Sequence, residues 1–431
     1  MITMKYTNSR EFAQSLDLKD PLSAYRSQFH IPIKNDKPVI YLCGNSLGLQ
    51  PKDAFNQFNL EAEKWKNLAV EGHFEGENPW TTYHELGKEE LGGLLGAKQT
   101  EVVLMNNLTT NLHVLLASFY RPSGKRNKII IEKGAFPSDH YAVTSYVTLL
   151  GLNPEEVVIQ LDIPFDGYLS TESIINTIQD TGEELALILF PGVQYYTGQF
   201  YDLKAITSTA HQVGAYAGFD LAHAIGNLPM NLHEDDVDFA TWCSYKYLNS
   251  GPGNVSGIFI HDRHNQNTDL PRLGGWWGQR PETRFWMDNV NRPTPTVDGW
   301  MMSNTNILAT SIHLSSLKMF HNAGIKNLRN KSIELTGFLE YLLINTPTIK
   351  KHVQILTPGN FKERGCQLSL YLRHHGKEIF NYLIAHGVVL DWREPNVIRV
   401  APTPMYNTYT EVFDFVSILL AAFQQSSPKI D

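Results

Sequence analysis

At 431 residues the chain is too long for one ordinary compact domain and is expected to build a larger domain and a smaller one, each with its own core. Its 42% hydrophobic and 19% charged composition is that of a soluble globular protein, without low-complexity stretches or internal repeats. A formal charge of -8 and the lack of any Lys and Arg cluster exclude a nucleic-acid partner.

Met1 to Pro21 lacks the basic-then-apolar order of a leader, so a cytosolic protein is expected. After the turn-like Asn45 to Pro51, Phe58, Ala62, Trp65 and Ala69 recur at helical spacing and predict an amphipathic helix over Ala54 to Ala69. From about residue 100 strands and helices alternate: Glu101 to Leu104, Leu108 to Phe119 and Lys128 to Glu132, then Leu185 to Phe190, Leu203 to Val213 and Ala215 to Asp220. Phe239 to Ser244 and Ser256 to His261 add two more strands. Such alternation predicts an α/β fold with a mostly parallel sheet.

Beyond about residue 310 two long helices, Ile312 to Ala323 and Leu328 to Asn345, open a smaller α+β domain. There Gln367 to Arg373 alternates as a strand, Lys377 to His386 is helical and Val397 to Val400 is a short strand. Thr408 and Glu411 form a capping box for a last helix. Its strongest apolar run, Ser417 to Phe423, is too short to cross a bilayer, so no membrane partner is expected. The expected division is an N-terminal segment, 1–50, packing with the small domain, a large domain, 51–310, and a small C-terminal domain, 311–431.

Cys43, Cys243 and Cys366 lie far apart without metal-ligand spacing, so neither disulfides nor a metal are expected. His261, His264, His374 and His375 show no thiolate or zinc-type ligand spacing in sequence and read as solvated loop histidines.

The chemistry gathers at strand ends. In Gly218-Phe219-Asp220-Leu221-Ala222-His223-Ala224 an acid closes an apolar strand, where open α/β sheets collect ligand-binding groups; a simple helix cap is the bland reading. In Trp242-Cys243-Ser244-Tyr245-Lys246-Tyr247 a lysine stands in apolar and aromatic surroundings, which suits covalent chemistry; a snorkelling lysine is the alternative. Together Asp220 and Lys246 match what pyridoxal 5'-phosphate (PLP) requires: an amine for its aldehyde and a carboxylate for its pyridine nitrogen. Asn107-Leu108-Thr109-Thr110-Asn111, ahead of an apolar helix, offers hydroxyls and free amides to the phosphate, with Thr109 the chosen contact. Phe136 in Gly134-Ala135-Phe136-Pro137-Ser138-Asp139-His140 is suited to stack on the ring, with Asp139 supporting its polar edge, unless it is a core residue.

These segments resemble those of kynureninases, PLP enzymes of the aspartate-aminotransferase-like fold. The resemblance runs in order through Leu42 to Pro51, Asn107 to His113, Phe136 to Tyr141, Pro191 to Gly198, Gly218 to Gly226, Cys243 to Asn249, Gly275-Trp276-Trp277-Gly278 and Arg399 to Pro402, most of the chain. It implies a seven-stranded PLP-transferase sheet with helices on both faces. It also implies hydrolytic Cβ–Cγ cleavage of kynurenine or 3-hydroxykynurenine to an anthranilate and L-alanine, in tryptophan catabolism and NAD biosynthesis.

By the same resemblance Lys246 binds the aldehyde, Asp220 pairs with the pyridine nitrogen, Phe136 stacks, and Leu108, Thr109 and Tyr245 contact the phosphate, with Ser138, Asp139 and His223 in the cofactor shell. Tyr245 and Tyr196 are the implied proton carriers, and Arg399 the binder of the substrate α-carboxylate. Trp276 and Asn304 are implied to reach a neighbouring subunit's site, making a homodimer. His73 and Asn304 match relatives that prefer 3-hydroxykynurenine, whereas Gln279 departs from the histidine many relatives carry after Gly275-Trp276-Trp277-Gly278. Competing readings are a cysteine desulfurase, for which Cys366 sits beside a core strand, an aminotransferase, and an inactive PLP-binding protein.

Overall fold

The computed structural model describes residues 6–164, 167–267 and 269–426, so the first five residues of the segment read for a leader lie outside it. Two units result. One comprises Asp53–Tyr195 and Tyr201–Asn322, the other Met1–Lys52, Tyr196–Phe200 and Ala323–Asp431.

The larger unit holds a seven-stranded sheet. Its strands are β1 (Val102–Leu104), β2 (Lys128–Glu132), β3 (Val158–Leu161), β4 (Leu185–Pro191), β5 (Tyr216–Asp220), β6 (Phe239–Trp242) and β7 (Gly257–Ile260), in the order β1-β7-β6-β5-β4-β2-β3. The pairs from β6 to β3 are parallel, while β7 runs antiparallel to both β6 and β1. Between strands run α1 (Leu108–Phe119), α2 (Pro137–Leu149), α3 (Thr171–Thr181) and α4 (Leu203–Gln212).

Strand composition follows from burial. Ile129, Ile131, Leu187 and Leu189 face a core shared with Leu112, Leu115, Val143 and Val147, while the alternate residues Ile130 and Ile188 are buried on the other face. Both faces are covered, so a strand such as Leu185–Pro191 is buried throughout and reads as a continuous apolar run. Gly218 sits opposite Phe239, and a Cβ there would lie 2.0 Å from its ring, so only glycine lets that ring cross β5.

The smaller unit carries an antiparallel four-stranded sheet: Val353–Ile355, Leu368–Leu372, Val397–Val400 and Asp391–Arg393 in spatial order. Helices Ile325–Asn345, Gly376–Ala385 and Tyr409–Ser426 accompany it, and Ala13 and Leu42 from the N-terminal segment enter the same core. The capping box forms: Thr408 Oγ1 accepts the Glu411 amide at 3.1 Å, and Glu411 accepts the Thr408 amide at 3.1 Å. Asp17 accepts the next two amides, of Tyr409 and Thr410. No helix among the described residues is long and apolar enough to cross a membrane.

Three expectations are corrected. The helix Ala54–Leu68 does not bury the Phe58–Trp65 face: Trp65 is 62% exposed, whereas Glu61 is buried and accepts Trp80 Nε1 at 2.7 Å. The boundary between units falls at 322/323 rather than 310, because Leu314 and Leu317 of helix Ile307–Ala323 pack over Gly87 and Phe320 over Gly226 in the larger unit. His261 and His264 are buried rather than solvated, because distant carboxylates fold onto them; His264 Nε2 lies 2.8 Å from Asp238. His374 and His375 are exposed.

Candidate active site

The carboxyl ends of the parallel strands converge on one edge of the sheet. Asp220 is the last residue of β5, Glu132 of β2, and Lys246 follows β6 by one short turn. Because β7 runs backwards, its start also lies at this edge, and Ser256 ties to the loop before α1 through Met105 N–Ser256 O and Ser256 N–Asn106 O, both 2.9 Å. The phosphate-type segment and the lysine loop are thereby brought to one place.

Asp220 is buried and one of its oxygens accepts the Ala222 amide at 2.7 Å. Burial raises its pKa, opposed by the charge of Lys246, the Ala222 amide and a hydrogen bond from Asp139. Asp139 is buried too, and burial together with the charge of Asp220 and their shared hydrogen bond holds it far above the usual carboxyl range. Of the two, Asp139 is raised further, because the charge of Lys246 and the Ala222 amide oppose the rise at Asp220. The second Asp139 oxygen, Oδ1, has no hydrogen-bond partner among the described residues.

Lys246 is half-buried, with Nζ 5.8 Å from the centroid of the Phe136 ring. Phe136 is 43% exposed rather than a core residue, and Tyr195 meets it edge-on at 5.4 Å between centroids. One ring face is therefore open for stacking beside the amine.

Asn107 caps α1 with extended backbone and no side-chain bond to the helix, leaving first-turn amides for a ligand. Thr109 Oγ1 lies 2.7 Å from Ser138 Oγ, which joins the starts of α1 and α2. Two helix N-termini and two hydroxyls make an anion cradle.

Around this group, Tyr245 bonds Cys243, and burial drives its phenol well above the ordinary value. His223 is buried, its ring edge-on to Tyr247 at 6.4 Å. Glu132, which sequence reasoning missed, is buried, accepts Gln194 Nε2 at 2.9 Å and Tyr201 OH at 3.1 Å, and is pushed up to about 7 by burial. Gln194 also donates to Gly134 O at 2.9 Å, anchoring the loop that carries Phe136. A charged residue ending the apolar run Ile129-Ile130-Ile131 was the available signal.

Other expected site residues are not joined to this group. His73 packs edge-on against Trp80, Asn304 is exposed, and Trp276 is exposed with Nε1 donating to Arg284 O at 2.9 Å. Tyr196 and Arg399 belong to the smaller unit. Arg399 is buried and held two-pronged by Asp391, at 2.9 Å through Nε and 2.7 Å through Nη2. The donor set of the larger unit fits PLP: an amine above an open aromatic face, a buried carboxylate facing it, an orphaned Asp139 oxygen and an anion cradle.

Residues 328–419 match the family model described as the kynureninase C-terminal domain. The kynureninase of Flavobacterium psychrophilum is 48% identical over 418 residues, covering 96% of this chain and 98% of that protein. That of Myxococcus xanthus is 48% identical over 417 residues, covering 96% and 97%. Among solved structures, an apo cysteine desulfurase from Thermococcus onnurineus aligns with TM-score 0.76 at 17% identity over 93% of this chain and 98% of that one. The cysteine desulfurase CsdA of Escherichia coli aligns with TM-score 0.74 at 16% identity over 94% and 98%.

Proposed function

The chain belongs to the kynureninase family, and from that premise we propose that it hydrolyses the Cβ–Cγ bond of 3-hydroxykynurenine in preference to kynurenine, releasing the matching anthranilate and L-alanine. The observation that carries this reading is the buried Asp220, anchored by the Ala222 amide and paired with buried Asp139, within reach of the charge of Lys246, whose amine lies beside the open Phe136 ring. The cofactor is PLP, which when bound supplies an electron sink for the charge left at the substrate α-carbon.

In this reading Lys246 would hold the cofactor by its aldehyde and would move the proton of the substrate α-carbon. Asp220 would hold the proton of the pyridine nitrogen, and Asp139 would keep Asp220 in place through their shared hydrogen bond. Leu108, Thr109 and Ser138 hold the phosphate at the helix ends, Phe136 stacks on the ring, and His223 closes the polar edge. Tyr245, held protonated, gives a proton during cleavage, with Tyr196 the other candidate. Arg399, its plane fixed by Asp391, takes the substrate carboxylate.

His73 and Asn304 are assigned to the ring hydroxyl of the substrate, Asn304 and Trp276 acting across a homodimer. The exposure of Trp276 and Asn304 and the apolar Phe55, Leu60 and Trp65 left open on the helix Ala54–Leu68 support a second copy covering them. A cytoplasmic role in tryptophan catabolism and NAD biosynthesis completes the proposal. Against a desulfurase stands the burial of Cys43, Cys243 and Cys366, which leaves no accessible thiol to attack a substrate sulfur.

The test is to incubate PLP-loaded protein with each substrate and quantify alanine with the matching anthranilate. Faster 3-hydroxyanthranilate release upholds the whole reading; faster anthranilate release keeps the activity and removes the roles of His73 and Asn304. No alanine from either overturns it.

A further inference from the structure

At the opposite edge of the sheet, where the parallel strands begin and β7 ends, four side chains meet that are far apart in sequence. Glu101 precedes β1, His233 lies ahead of β6, and His261 and Asp262 follow β7. Glu101 is fully buried, His261 buried, and His233 and Asp262 half-buried at the rim. From this cluster we propose a binding site for one divalent transition cation of the zinc type, ligated by Glu101 Oε1, His233 Nδ1, His261 Nδ1 and Asp262 Oδ1.

The distances are those of ligands around one ion. His233 Nδ1 lies 2.8 Å from Glu101 Oε1, His261 Nδ1 lies 3.2 Å from Asp262 Oδ1 and 3.8 Å from Glu101 Oε1, and one ligand atom from each of the four residues falls within 4.8 Å of the others. Bonds of about 2.0–2.1 Å to a tetrahedral zinc place neighbouring ligand atoms about 3.3 Å apart. Two imidazoles and two carboxylates also suit zinc rather than calcium or magnesium, which take oxygen donors alone.

The surroundings orient these atoms as outer partners do in metal sites. His261 Nε2 faces Asp236 Oδ1 at 3.4 Å, and the Arg263 amide donates to His261 Nδ1 at 3.2 Å. Both contacts set the tautomer with Nδ1 as the acceptor and the Nε2 proton toward Asp236, a carboxylate–histidine pairing typical of metal ligands. Glu101 is held by the Asp262 amide at 2.9 Å on Oε1 and the Lys98 amide at 2.8 Å on Oε2. Lys98 Nζ binds the outer oxygen of Asp262 at 2.7 Å, leaving Oδ1 for the ion. Only the His233–Glu101 and Arg263–His261 hydrogen bonds would be exchanged for metal bonds. The site joins three segments of the sheet edge and lies on the order of 15 Å from Lys246, a strand's length away.

The experiment uses PLP-loaded protein stripped with a chelator and titrated with zinc by calorimetry, then with cobalt as a visible reporter of four-coordinate geometry. One equivalent per chain is expected, with the cobalt band abolished by excess zinc. His233→Gln, His261→Gln and Asp262→Asn should each weaken zinc by at least about tenfold, and Asp236→Asn, acting through His261, by about 10–100-fold. Kynurenine turnover should be retained in all four, which reports that they fold. Asp262→Asn, at the rim, is the variant that keeps the test intact if a histidine variant fails to fold. No stoichiometric binding, or binding that His233→Gln and Asp262→Asn leave unchanged, overturns the proposal.

Discussion

Asp139 and Asp220 share a hydrogen bond and are buried together within reach of Lys246's charge. Two adjacent carboxyls in one buried site resist ionising together, and here Asp139 is raised further than Asp220, which has the charge of Lys246 to oppose the rise. Asp220→Asn should lower kcat/KM by about 10–100-fold, the loss of one charge-assisted hydrogen bond. Asp139→Asn keeps a donor and should cost about threefold or less on the same scale, whereas Asp139→Ala should approach the Asp220→Asn loss. Steady-state kinetics and PLP affinity by equilibrium dialysis check the order; equal losses for Asp139→Asn and Asp139→Ala would contradict the part given to the Asp139–Asp220 hydrogen bond.

Lys246→Ala should abolish turnover while the fold survives. Borohydride trapping followed by peptide mass spectrometry should find the cofactor mass on the peptide containing Lys246 in the parent protein and on none in the variant. Label on another lysine would remove Lys246 from its role.

Burial pushes Glu132 up to about 7 from an ordinary value near 4.5. The folded state therefore holds this proton more tightly than the unfolded chain. Its stabilising contribution is complete below the unfolded value and is lost as pH rises through the folded one. Between about pH 4.5 and 7 the loss amounts to about 3 kcal/mol. Glu132→Gln, which keeps the hydrogen bonds without the charge, should be relatively more stable at pH 7.5 than at pH 5. Thermal melts of both proteins across that range check the sign.

His73→Phe and Asn304→Ala should each shift the ratio of kcat/KM for 3-hydroxykynurenine over kynurenine toward the latter by about tenfold, since one hydrogen bond to the ring hydroxyl is lost. Competition assays with both substrates in one vessel measure the ratio directly.

If Asn304 serves the partner's site, Lys246→Ala and Asn304→Ala chains, each impaired alone, should complement when mixed and exchanged. Random pairing restores about a quarter of the native sites. No recovery despite demonstrated subunit exchange would assign Asn304 to its own chain.

Much of the larger unit was legible because both faces of its sheet are buried: runs such as Leu185–Pro191 are unmistakably strands, and Asp220 ends one of them. The helix Pro137–Leu149 was not, because Thr144, Val147 and Thr148 favour strand locally and only Ala142, Val143 and Val147 reach the core apart from Asp139. Strand direction is invisible to local pattern, so the reversal of β7 could not be read. Neither could the pairing of Glu101 with His233 and His261, since ligands 132 residues apart carry no spacing signal. The Trp65 face was misjudged for a related reason: periodicity shows that a helix is amphipathic, and here a buried Glu61 bound by Trp80 turns another face inward.

The backward strand β7 also sets a schedule. Met105 and Asn106, beside the anion cradle, are braced by Ser256, and Asn107 Nδ2 donates to Gly253 O at 3.3 Å. These braces come from residues made about 150 positions later. During synthesis at about 5–20 residues per second, the cradle therefore waits several seconds, at least, for its second wall. Cofactor capture is a late event in the life of the nascent chain, and until then the start of α1 depends on other contacts to hold its shape.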